Sequence, residues 1–374
     1  MMIRGIIIGT FCALLPLNLA LADGYKAKMS KAVQMSTSTT RNVVEDNNLD
    51  EGHLKEDYDK DAKKKLVFNG TFRYLYGQGR MEGKLLGRPI KEKIILPTWR
   101  TRLYATYKPD EHWSIVGAIE DNRVLNDHTM DDTVHWHRGY VEGIYPKTEI
   151  LAGRFGYKLA RGNLMDTSAD GVRLRFGEAE KNVTIFGGRI LSEEDRREGY
   201  ILNAYNVWDN KIITEAAYLQ FKNRANPKRK WSEQKILSGT IGYRFAPDVF
   251  LTTEFIRSKG KDRDREVEAQ SGYVVNFNCG DYDYTKKGSN RLRLRYYHQP
   301  QSSIIVHTMN GYPGFFDVAD QHLGIRGWGL CWDYVLTKGV LLTLEGYDLK
   351  NLYNTAFADD FRERIIGGSI TFAF

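Results

Sequence analysis

The chain has 374 residues, a net charge of +7 and a mean hydropathy of -0.48, despite 22 Tyr, 17 Phe and 7 Trp. That length holds two ordinary domains or one large β-barrel, and 35 Gly against 9 Pro suits strands and turns better than a helical bundle. Past the N-terminal stretch no apolar run reaches the ~18–20 residues of a membrane-spanning helix, which excludes a helical membrane protein.

Residues 1–22 read as a secretory signal peptide: Arg4 lies in a short basic region, an apolar run follows from Ile6 to Leu15, and "ALA" precedes Asp23. An exported chain is expected, so basic runs such as "NPKRK" do not point to nucleic acid. Cys12 would leave with the signal.

Residues 23–65 carry nine Lys/Arg and nine Asp/Glu with few apolar residues and no heptad, which predicts a solvated periplasmic extension. Being neutral, that segment leaves the positive excess to the remainder of the chain.

From Leu66 the pattern changes to segments of about 9–14 residues with period-2 alternation. Strands are predicted at 66–77, 95–108, 113–121, 135–145, 149–158, 170–178, 181–190, 200–208, 211–222, 235–245, 248–258, 271–283, 290–298, 321–334, 338–349 and 361–374. Their connections alternate in length. Short ones, such as "PDEH", "PKT", "APD" and "TKG", follow even-numbered strands, and long ones follow odd-numbered strands. A meander with short turns on one rim and long loops on the other is the pattern of a transmembrane antiparallel β-barrel, with both ends of 66–374 on the short-turn, periplasmic side. Closure removes every unpaired strand edge from the bilayer.

Parity within the strands agrees. Val172, Leu174 and Phe176 oppose Arg173 and Arg175, and Leu292, Leu294 and Tyr296 oppose Arg291, Arg293 and Arg295. Lipid cannot host a row of arginines at mid-depth, so the charged rows are expected to face water inside the barrel. In 321–334 the parity of Leu323 and Ile325 disagrees with that of Trp328, Leu330 and Trp332, which predicts a bulge near Gly327 and Gly329 or a shifted register. Cys279 and Cys331 fall two strands apart, about 9–10 Å, too far for a disulfide, so two free thiols are expected. In the final "IIGGSITFAF", Ile370, Phe372 and Phe374 share one face, predicting a last strand that closes on the first with Phe374 toward lipid.

This sixteen-strand plan, its alternating loop lengths and its terminal aromatic resemble the general porin superfamily of bacterial outer membranes. The resemblance implies a passive diffusion channel for small hydrophilic solutes, seated in outer-membrane lipid as a homotrimer. It also implies that the barrel-assembly machinery reads Phe374, and that the loop after the fifth strand folds inward to face basic wall residues. Here that loop is "LARGNLMDTSAD", with Asp166 and Asp170, and the long loop 299–320 could share the constriction.

The candidate pore-lining residues are Arg73, Arg100, Arg102, Arg154, Arg173, Arg175, Arg293 and Arg295, with Glu120 among the lumen carboxylates. As permanently charged guanidinium groups they could form a sieve with a mild anion preference. Equally, they could solvate the wall by pairing with Glu120, Glu142 and Glu254. A second functional reading is a structural barrel tethered to the cell wall through 23–65. "HWH" sets His135 and His137 near His128, Asp131 and Asp132, which raises a metal or hydrolase site. Polar residues are expected at an outer rim, however, and no enzyme, metal or cofactor is assigned.

Overall fold

The computed structural model describes residues 65–85, 87–125, 134–190, 197–223, 232–262, 265–305, 323–354 and 358–374. Apart from Lys65, the expected signal peptide and extension lie outside the described residues, as do His128, Asp131, Asp132 and positions 306–322 of the long loop.

Sixteen antiparallel strands form a closed barrel, each hydrogen-bonded to its neighbours in sequence and the last to the first. They are β1 (Leu66–Leu85), β2 (Arg88–Tyr107), β3 (Trp113–Val124), β4 (His135–Tyr145), β5 (Thr148–Leu159), β6 (Met165–Glu178), β7 (Lys181–Ile190) and β8 (Arg197–Trp208), followed by β9 (Ile212–Lys222), β10 (Glu233–Ala246), β11 (Val249–Asp262), β12 (Arg265–Asp281), β13 (Asn290–Gln299), β14 (Ile325–Thr337), β15 (Val340–Asn351) and β16 (Ala358–Ala373). The expected fold class and strand number hold.

The outward rows carry what a bilayer requires. Leu103, Ile115, Val172, Ile185, Leu202, Leu237, Leu294, Leu330, Leu344 and Ile366 are exposed on the barrel's outside. Near the short turns they give way to the exposed aromatics Tyr107, Tyr145, Phe176, Trp208, Phe245 and Phe372, an aromatic girdle of the kind that borders the apolar band of an outer-membrane barrel. Phe374 lies outward as its parity predicts: it exchanges backbone hydrogen bonds with Gly70 at 2.8 and 3.0 Å. Its ring covers that glycine so closely that a Cβ there would lie 2.7 Å from Cζ.

Several outer loops are shorter than their polarity suggests. The segment 78–94 continues β1 and β2 almost to a tight turn at Gly87 (φ +75°), in unbroken register from Gln78↔Ile95 to Leu85↔Arg88. Its side chains Arg80, Glu82, Lys84, Lys91 and Lys93 are polar because that part of the ribbon touches no lipid, so period-2 polarity vanishes while backbone pairing persists. Ion pairs such as Lys91–Glu82 (3.8 Å) line it instead.

The expected bulge in β14 is absent. Pairing with β13 runs without a shift from Asn290↔Tyr334 to Gln299↔Ile325, and the irregularity falls between Val335 and Thr337. Leu323 and Ile325 break the apolar-outward rule because they point inward and are fully buried. The two thiols are free as expected, and they also face opposite ways: Cys279 is exposed and Cys331 buried.

Candidate functional site

The decisive local feature is the β5–β6 hairpin. β4 pairs with β5 only as far as Gly139↔Arg154, and β6 pairs with β7 only as far as Ala169↔Ile190. β5 and β6 nevertheless stay paired to Leu159↔Met165. Having lost both outer neighbours, the ribbon 155–169 leaves the wall and crosses the lumen. Its turn passes through three consecutive positive φ angles, at Ala160 (52°), Arg161 (55°) and Gly162 (83°). For the first two this conformation costs about 1–2 kcal/mol each.

The far wall compensates. Asn163 Nδ2 donates to Glu254 Oε2 on β11 at 2.9 Å. Arg295 on β13 donates to the Arg161 carbonyl at 3.0 Å, and Gln299 Nε2 to the Asn163 carbonyl at 2.9 Å. Arg161 itself pairs with Glu215 on β9 at 3.5 Å.

The hairpin has two unlike faces. Phe155, Tyr157, Leu159 and Met165 are buried in one apolar cluster with Phe186, Ile201, Leu219, Ile236 and Ile256 from β7–β11, where the Phe155 and Phe186 rings meet edge to face at 6.1 Å. The opposite face carries Gly156, Lys158, Asp166 and Ser168 and turns toward β4. Arg138 hydrogen-bonds Ser168 there, and its guanidinium would lie 3.0 Å from a Cβ at Gly156.

A second segment also enters the barrel. After β13, residues 300–305 fold over β10 and β11: Gln234 Nε2 donates to the carbonyls of Ser302 (3.0 Å) and Ile304 (3.1 Å). Ser302 and Ser258 share a hydroxyl hydrogen bond of 2.6 Å. The described start of the 299–320 loop thus lies inside, beside the hairpin tip.

Most of the candidate residues reach the lumen. Register places Arg73 beside Arg100, and Arg102 beside both Thr71 and Glu120, in one patch on β1–β3. Arg102 Nε donates to Glu120 at 2.6 Å, and both side chains are almost fully covered. Asp166 lies on the hairpin, buried opposite Lys158.

Arg293 and Arg295 face inward on β13. Arg293 and Arg291 converge on Asp333 at 3.1 and 3.0 Å, whose other oxygen accepts from Thr343 at 2.8 Å. Arg173 and Arg175 face inward on β6 but share Glu149, and Arg173 stands over the Phe155 ring at 5.6 Å. They form a separate patch near the root of the hairpin, not part of the β1–β3 wall.

Two assignments are corrected. Arg154 and Asp170 oppose each other across β5 and β6, with the parity of the outward Val172, Leu174 and Phe176. Arg154 Nε bonds Asp170 at 2.9 Å, and Arg189 of β7 joins from the other side at 3.1 Å. Arg154 and its neighbour Phe155 necessarily point opposite ways, and the buried Phe155 takes the lumen side. In this outward trio two guanidinium groups share one carboxylate at the end of the wall, where the hairpin departs.

Sequence reasoning missed Arg138, whose "HRG" context gave no alternation to read, and Asn163, whose partners lie 91 residues or more away. It also left His135 and His137 without their carboxylate. The structure supplies Glu120, directly opposite His135 on β3.

A closed sixteen-strand barrel with an apolar outer band and an inward hairpin after its fifth strand has the porin-type fold of a bacterial outer-membrane protein. Among solved structures it is similar to Salmonella typhi OmpF in complex with daunomycin (TM-score 0.54, 11% identity, 83% of this chain and 97% of that one). It is also similar to the trimer form of the outer-membrane protein OmpT of Vibrio cholerae (TM-score 0.50, 9% identity, 83% and 99%). At such identity the likeness concerns the fold alone. No protein-family model and no curated protein matches the sequence.

Proposed function

We propose that the protein is a passive diffusion channel for small hydrophilic solutes with a mild preference for anions. The observation that carries this reading is the hairpin 155–169, which spans the lumen and divides it. Its apolar face closes against β7–β11, so a water path has to run along its polar face, past β13–β16 and β1–β4. On that side the buried arginines Arg73, Arg100, Arg102, Arg138, Arg291, Arg293 and Arg295 outnumber the buried carboxylates Glu120, Glu142, Asp166, Asp333, Glu345 and Glu363. The excess is small because the pairs Arg102–Glu120 and Arg293–Asp333 cancel much of it, hence a bias and not a strict selection.

The trimer form recorded for the Vibrio cholerae protein supports a homotrimeric assembly here as well. The exposed apolar belt is compatible with lipid or a second copy against part of it.

The test is a single-channel recording with a reversal potential in a tenfold KCl gradient. Each guanidinium about 10 Å from a permeating ion contributes about 0.4 kcal/mol in water, about twofold in favour of an anion and about twofold against a cation. Arg73→Ala with Arg100→Ala should lower the anion-to-cation permeability ratio by about an order of magnitude near 0.01 M salt. At 1 M, where the screening length is about 3 Å, the ratio should hardly change. Arg154→Ala with Arg189→Ala, on the outward face, should leave it unmoved. An unchanged reversal potential in the first pair at low salt would show that those arginines only solvate the wall.

A further inference from the structure

We propose that Glu120, His135 and His137 form a binding site for one divalent transition-metal ion of the zinc class on the lumen wall. His135 Nε2 lies 3.6 Å from Glu120 Oε1, His137 Nδ1 lies 3.7 Å from Glu120 Oε2, and one ligand atom from each residue falls within 4.8 Å of the other two. Around an ion with bonds of about 2.0–2.1 Å, ligand atoms of a tetrahedron are about 3.4 Å apart. Closing these gaps takes only small side-chain rotations.

The backbone is built for this meeting. Along an unbroken strand His135 and His137 would be spaced by a full two-residue repeat. The pairing of β3 with β4 instead shifts between Ala118↔Arg138 and Ile119↔Trp136, leaving His137 as the extra residue. A bulge of this kind re-aims a side chain, and here it brings the buried His137 to the carboxylate that already faces His135. Trp136, between them, is thrown outward and covers Gly139 and Gly117.

Arg102 completes the arrangement by holding Glu120 Oε2 at 2.6 Å, which fixes the carboxylate plane, the role of an outer partner that orients a ligand. His137 is nine-tenths buried, and its Nε2 has no hydrogen-bond partner among the described residues. His135 is half exposed, which gives an ion a way in from solvent.

The ligand set selects the metal. Ca2+ and Mg2+ demand several oxygen ligands, and this site has one carboxylate. Two imidazoles suit Zn2+, Co2+, Ni2+ or Cu2+, with the remaining positions taken by water.

The experiment is a Co2+ titration of the detergent-folded barrel, followed by visible absorption, with Zn2+ as competitor and Mg2+ in excess as control. The expected result is one Co2+ per chain, displaced by Zn2+ and unaffected by Mg2+, with affinity at least tenfold weaker in His135→Gln/His137→Gln. The single variant His135→Gln, at an exposed position, should keep the heat-modifiable mobility of a folded barrel and still lose affinity. Absence of Co2+ absorption in the wild type, or equal affinity in the double variant, overturns the site. The titration needs no conductance, so a conducting barrel that fails to bind Co2+ refutes only the metal site. A barrel that binds Co2+ without conducting refutes only the channel reading.

Discussion

Replacing Tyr157–Thr167 by Asn-Gly, which closes the hairpin at the Gly156↔Ser168 pair with a two-residue turn, is expected to raise single-channel conductance at least twofold. The excised ribbon carries every described contact of the tip with β9, β11, β12 and β13. Without it the chord across the lumen is gone. Anion bias should fall as well, because a wider water path moves ions away from the arginine wall into high dielectric. Retained heat-modifiable mobility would establish that the shortened chain still folds. Unchanged conductance in a folded variant would move the constriction to residues 300–305, which are held against β10 and β11 by Gln234 and Ser258.

Asp333→Ala is expected to be the most destabilising single change in the wall. Asp333 is fully buried and accepts from Arg291 through Nε and Nη2 (3.2 and 3.0 Å), from Arg293 (3.1 Å) and from Thr343 (2.8 Å). Removing it leaves two covered guanidinium groups sharing one space without their common anion. Breaking one buried pair typically costs about 3–5 kcal/mol, and the repulsion of the two cations adds to that. Urea unfolding in detergent should show the midpoint falling sharply, while Asp348→Ala should move it little. That aspartate pairs with Arg362 and Arg364 on the half-exposed outward face, where an ion pair is worth about 0–1 kcal/mol. Comparable midpoints for the two variants would contradict the shared-anion account.

The sequence displays the barrel well because each strand separates two media. Arg291, Arg293 and Arg295 against Leu292, Leu294 and Tyr296 cannot be arranged otherwise in a bilayer. Legibility ends where that contrast ends. In 78–85 and 88–94 neither face meets lipid, so paired strands resemble loops. At Leu323 and Ile325 apolar residues point inward to meet inward-folded chain, so a regular strand resembles a bulged one.

The candidate site was legible by the same measure. Arg73, Arg100, Arg102 and Glu120 sit well inside clean alternation, so their shared face could be read from parity alone. Arg154 and Asp170 sit where the hairpin leaves the wall: the strand expected at 149–158 nearly matches β5 in its bounds, but Arg154 has the opposite parity to that expected, and Asp170 falls within β6 and not in the loop, because β6 starts at Met165, five residues earlier than expected. The cross-lumen partners of Asn163 and the meeting of Glu120 with His137 depend on strand order and a local bulge, and no short-range pattern encodes either.

The anchoring of the hairpin also dictates an order of assembly. Asn163 meets Glu254 across 91 residues, the Arg161 carbonyl meets Arg295 across 134, and the Asn163 carbonyl meets Gln299 across 136. Long loops of this kind contribute nothing until their distant ends have come together. The strap therefore cannot dock until β11–β13 stand in place, so the narrowing of the bore depends on the second half of the chain although the hairpin that does it belongs to the first.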